Sequence, residues 1–164
     1  MKKLLVALVS VLHLVPHPFG VSPVGAMALY AGAHAPASTA WLVPLAPLTL
    51  AALLFGFYDP IVMAFVFGGF ALASFVGRWL LRDGCSYARF AAAVGLGAIV
   101  FFLVSNFAMW LVGMYPQTLT GLIQCYINGL PFLLKAVLAD AAYCFVLFGL
   151  HALIDREQRE PVIA

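Results

Sequence analysis

The chain has 164 residues and a net charge of +2, with 65% of its residues hydrophobic and 9% charged. Soluble domains carry roughly 25% charged residues, so this composition, with a mean hydropathy of +1.09, excludes a water-exposed globule and points to lipid as the solvent. The weak positive charge gives nucleic-acid binding no electrostatic support, and Cys85, Cys125 and Cys144, with no CxxC pair, suggest neither a metal set nor a disulfide framework.

A membrane crossing needs about 20 mainly apolar residues. That length predicts one all-α domain over residues 1–164, an integral membrane bundle of about six transmembrane helices. The first segment falls at 3–16 and follows Lys2-Lys3. With Ala26-Met27-Ala28 it mimics a cleaved secretory signal. The intervening stretch, however, carries Pro16, Pro18 and Pro23 and lacks a short polar region before the site, so the first span is read as retained. A short segment at 22–35 follows the turn-rich HPFGVSP. Broken segments at membrane depth are tolerated where protein or a cavity buries their free backbone groups. Residues 13–24 are therefore expected inside the mouth of the bundle.

Longer spans are predicted at 38–57, 60–81, 88–113 and 131–153. Between the last two, Thr118 is a candidate N-cap. Gly121, Cys125 and Gly129 form a small-residue stripe suited to close helix contact. The segment 118–130 is too short to cross, and Pro131 suits the start of the next helix. It is predicted as a separate helix, interfacial or re-entrant, on the outer side.

Charge sets the orientation. Lys2 and Lys3, then Arg78, Arg82 and Arg89, then Arg156 and Arg159 fall on one side if the chain crosses six times. The positive-inside rule makes that side cytoplasmic. Both termini are then expected in the cytoplasm of a bacterium, with the protein in its inner membrane. The opposite side, 17–22, Tyr58-Asp59-Pro60 and 114–130, holds no Lys or Arg.

Lys135 and Asp140 lie within the last span. Intramembrane charges cost about 2.5–3.5 kcal/mol each on insertion scales, so they are seldom idle. Lys135 is placed to snorkel towards the outer interface. Five residues turn a helix by roughly 140°, so Lys135 and Asp140 are not a natural pair. Asp140 needs another partner, either a polar clamp across the bundle or a ligand. Asn106 and Trp110 share a helix face, and Tyr115, Gln124, Tyr126 and His17 fall near the same outer end. Singly, each fits an interhelical contact, an aromatic belt or a headgroup contact; together they outline a pocket rim. His13 and His17 have ligand-like spacing, but Pro16 and Pro18 disturb a regular helix there. His34 and His151 lie towards the other side, so no metal site is assigned. G-x-S-x-G, HExxH, Walker and GxGxxG patterns are absent.

The stretches HPFGVSPVGAMALYAGAH, WLVPLAPLTLAALLFGFYDP, NFAMWLVGMYPQTLTGLIQCYINGLPF and LLKAVLADAAYCFVLFG resemble a family of small bacterial membrane proteins known as a domain of unknown function. The pattern is carried by Asn106, Trp110, Tyr115, Pro116, Thr118, Gly121, Cys125, Tyr126, Pro131, Phe132 and Asp140, and the family name implies no activity. In architecture alone the chain is similar to substrate-binding subunits of energy-coupling-factor vitamin transporters, which bind a small molecule from the outer side; fold analogy does not give function.

The leading expectation is a membrane protein that binds or takes up a small molecule in an outward-facing pocket. His17, Asn106, Trp110, Tyr115, Gln124, Tyr126 and Asp140 are its candidate lining. The cofactor is unknown, and the expected partners are the lipid bilayer, a small-molecule ligand and membrane or cytoplasmic subunits. The alternative is a structural or assembly subunit, and the third reading is an intramembrane enzyme.

Overall fold

The computed structural model describes His13 and residues 21–159, with side chains as far as Arg156. Apart from His13, the predicted first span 3–16 lies outside the described residues, as does His17. Among the described residues the structure is helical with no strand. The elements are α1 (Val24–His34), α2 (Ala37–Ala40), α3 (Leu45–Phe55), α4 (Pro60–Leu81), α5 (Tyr87–Leu111) and α6 (Leu119–Arg159). Four helical stretches are long and apolar enough to cross a membrane: Ala37–Phe55, Pro60–Leu81, Tyr87–Leu111 and Leu119–Arg156.

Local chemistry explains where these helices start and stop. Asp59 caps α4 by accepting from the amides of Ile61 and Val62 at 2.9 and 3.1 Å, and Pro60 opens the first turn. Ser86 accepts from Arg89 at the start of α5, and Thr118 from Gly121 at the start of α6. Gly56 and Gly113 end α3 and the turn after α5 at φ of 101° and 81°, values that only glycine adopts without strain. The predicted span 38–57 is divided by a turn at Trp41–Pro44, where the proline restricts the preceding residues.

The predicted separate helix at 118–130 does not form. Residues 119–159 are one helix of 41 residues with Pro131 inside it. Proline removes one intrahelical hydrogen bond. A packed membrane helix tolerates that loss when its surroundings satisfy the freed carbonyl.

The core is built around α1. Its 11 residues extend about 16 Å at 1.5 Å per residue, roughly half a bilayer core. Val24 and Ala26 to Ala31 are at most 2% exposed and Gly25 is buried, so the helix is enclosed on every face by α4, α5 and α6. Glycines allow this closeness. A Cβ at Gly77 of α4 would overlap the Leu29 backbone, and one at Gly32 would overlap the carbonyl of Ser74. By contrast the outer faces expose large apolar side chains, among them Leu53, Phe55, Trp79 and Phe145. Such a surface suits lipid and would drive association in water.

Candidate functional site

A buried half-helix leaves unsatisfied amides at its start and carbonyls at its end. Both ends of α1 are met by later parts of the chain. At the start, Pro23 has no N–H to satisfy, Ser22 Oγ accepts from Val24 at 3.3 Å, and the Asp140 carboxylate lies over Gly25 with the Ala26 amide as its backbone partner. At the end, Arg78 Nη1 donates to the Ala35 carbonyl at 3.3 Å. A carboxylate at the N-terminus and a guanidinium at the C-terminus both complement the helix dipole.

Asp140 is 7% exposed and also lines a cavity of about 230 Å³. Ser22 and His13 lie on its polar side, hydrogen-bonded to each other at 3.3 Å. The stacked rings of Phe70 and Phe101, 4.2 Å apart, are among its apolar walls.

A second cavity, of about 380 Å³, lies among α4, α5 and α6 beside the turn at 112–118. Asn106, Tyr115 and Asn128 line it together with Met109, Met114 and Phe132. Asn128 Nδ2 donates to the Tyr115 hydroxyl at 3.4 Å, and Gln124 Nε2 donates to Asn128 Oδ1 at 3.0 Å. Asn106 and Tyr115 therefore meet at one cavity, and Gln124 reaches it through Asn128.

The other candidates sit elsewhere. Trp110 Nε1 donates to the Pro116 carbonyl at 3.0 Å, while Gln117 donates to the Trp110 carbonyl, so Trp110 ties down the turn. Tyr126 donates to the Leu103 carbonyl at 2.9 Å and joins α6 to α5. Asp140 belongs to the first cavity, separate from Asn106. The small-residue stripe meets its expected role. Gly121 packs on Pro116, Cys125 Sγ donates to the Asn106 carbonyl at 3.3 Å, and Gly129 seats the Asn106 side chain. Lys135 is exposed, its ammonium 5.7 Å from the Phe132 ring centre.

One polar cluster was not singled out from the sequence. The Tyr30 hydroxyl and His151 Nδ1 share a hydrogen bond of 2.8 Å, and His151 Nε2 lies 3.3 Å from Asp155. The His34 ring stacks on Tyr30 at 4.5 Å and lies tilted against His151 at 4.2 Å. The i, i+4 spacings Tyr30–His34 and His151–Asp155 were the available signals. Their meeting across 121 residues of chain was not legible. No group of three or more His, Cys, Asp or Glu is arranged for a metal among the described residues. In the loop after α4, Cys85 is exposed, and partial loss of hydration pushes its thiol up.

This architecture, four apolar helical stretches of membrane-crossing length around an enclosed half-helix, is compatible with a helical membrane protein. The chain belongs to the family of unknown function DUF6580, whose model matches residues 1–162. No curated protein and no solved structure matches it.

Proposed function

We propose that the protein binds a small, neutral, polar molecule in the cavity among α4, α5 and α6. The observation that carries this reading is the lining. Amide and phenol groups from Asn106, Tyr115 and Asn128 converge on one space walled by methionine and aromatic side chains, and its described lining holds no charged residue. Small-molecule sites combine apolar walls with a few placed polar groups in this way. Methionines at the wall adapt to the shape of a ligand. On this reading the cavity faces the side opposite the basic clusters, the outer face of a bacterial inner membrane. On the same reading the chain makes six crossings, with both termini cytoplasmic. Uptake would call on a partner subunit or a rocking motion of the helices, since no nucleotide-binding motif is present in the sequence.

The assembly-subunit reading is favoured by one observation: Trp110, Tyr126 and Gln117 spend their donors on backbone carbonyls of the protein itself. Native mass spectrometry of gently solubilised protein separates the two. Binding predicts a co-purified small molecule that is lost from Tyr115→Phe and Asn128→Ala while the melting temperature stays within a few degrees of wild type. Recovery of ligand-free protein in defined complexes with other subunits would favour assembly.

A further inference from the structure

The first cavity is separate from the proposed neutral-ligand site and has different chemistry. We infer that it is a binding site for a small organic ammonium ion with an apolar body, held between the Asp140 carboxylate and the Phe70–Phe101 pair. Asp140 is 7% exposed and lines the cavity, where the described lining holds no Lys or Arg and its one other titratable group, His13, is hydrogen-bonded to Ser22. A carboxylate so enclosed carries a large desolvation penalty unless charge or hydrogen bonds compensate it. The first turn of α1 supplies part of that compensation, through the Ala26 amide and a dipole equivalent to roughly half a positive charge. A full cation in the cavity would supply the rest.

The rest of the cavity fits the other end of such a ligand. The stacked phenylalanines offer ring faces that attract ammonium groups and pack against hydrocarbon. Ser22 Oγ adds a hydroxyl acceptor for an N–H donor. An apolar cavity of about 150 Å³ accepts benzene. A volume of about 230 Å³ therefore holds an aromatic ring with a short aminoalkyl chain. A bare metal cation is a poorer match, because the described lining brings a single carboxylate and mainly apolar walls.

The full chain in detergent is tested by thermal shift and calorimetry with 2-phenylethylammonium, its neutral isostere 2-phenylethanol, and 3-phenylpropanoate. The ammonium ion should raise the melting temperature and bind at least about tenfold more tightly than the alcohol, with no binding of the carboxylate. Asp140→Asn keeps an oxygen for the α1 amides, so it should remain folded, and its preference for the cation should vanish. Ala136→Leu, which fills the cavity and leaves the carboxylate in place, should abolish binding of cation and alcohol alike. Equal binding of cation and alcohol to the wild type, or a cation preference that survives Asp140→Asn, overturns the inference. So does stabilisation by sodium chloride that matches the ammonium effect. The site at Asn106 and Tyr115 is untouched by either variant, so failure here leaves the neutral-ligand reading standing.

Discussion

Gly77 shows how narrowly single residues are constrained at the centre of this bundle. A Cβ there would overlap the Leu29 backbone, which has no flexible end to move aside. Gly77→Ala is therefore expected to lower stability by about 1–3 kcal/mol, read from thermal or denaturant unfolding in detergent. Gly68 and Gly95 are the contrast. Both are helical, with nothing within 4 Å of an added Cβ. Alanine at either should be neutral or stabilising, by up to about 1 kcal/mol, since glycine is the poorer helix former. If all three substitutions behaved alike, the close approach of α1 to α4 would be wrong. The sequence disclosed the stripe on α6, because Gly121, Cys125 and Gly129 recur at helical spacing within a few turns. It did not disclose Gly77. Nothing local marks a glycine whose partner, Leu29, lies in a different helix far back along the chain.

At the scale of elements, α1 and α6 depart furthest from expectation. Both departures come from tertiary contacts that override local signals. Pro131 reads as a helix start in sequence, yet α6 runs through it from Leu119 to Arg159. Pro131→Ala should therefore keep the fold and change stability by less than about 1 kcal/mol, since it restores an amide within an existing helix. Loss of folding on that substitution would argue for a true break at 118–130. The sequence places the enclosed stretch at 13–24, mostly outside the described residues, whereas the enclosed helix is Val24–His34, which its apolar character presents as a short span. The groups that satisfy its ends were not legible. Arg78 counted in the sequence as a topology determinant, and in the structure it also donates to the last turn of α1 at Ala35. Arg78→Met should cost about 1 kcal/mol in unfolding measurements, with Arg78→Lys recovering part of it, because a cation at a helix C-terminus is favourable.

For the whole molecule, the alternation of the apolar helices sends the loop 56–59 and the turn 112–118 to one face, and the loop 82–86 to the other. Cys85 is exposed, whereas Cys125 and Cys144 are buried, so the native chain carries its own single accessible probe among the described residues. A membrane-impermeant maleimide should label Cys85 from the face that bears the basic residues. In a Cys85→Ser background, Phe57→Cys should be labelled from the opposite face; labelling of both positions from the same face would overturn the arrangement. The span lengths were readable because hydropathy sets them. The division of the polar residues between two cavities was not, since it depends on which helix faces meet. The enclosed half-helix also bears on how the chain is made. Residues leave the ribosome in order, so α1 emerges well before α4 brings Arg78 and α6 brings Asp140. Tyr30 likewise waits 121 residues for His151. Until then its amides and hydroxyl have water or the translocation channel as partners, and entry into lipid would strand them. α1 is thus a first-made, last-seated piece: nascent chains halted before residue 140 should leave it open to protease, and synthesis of α6 should close it in.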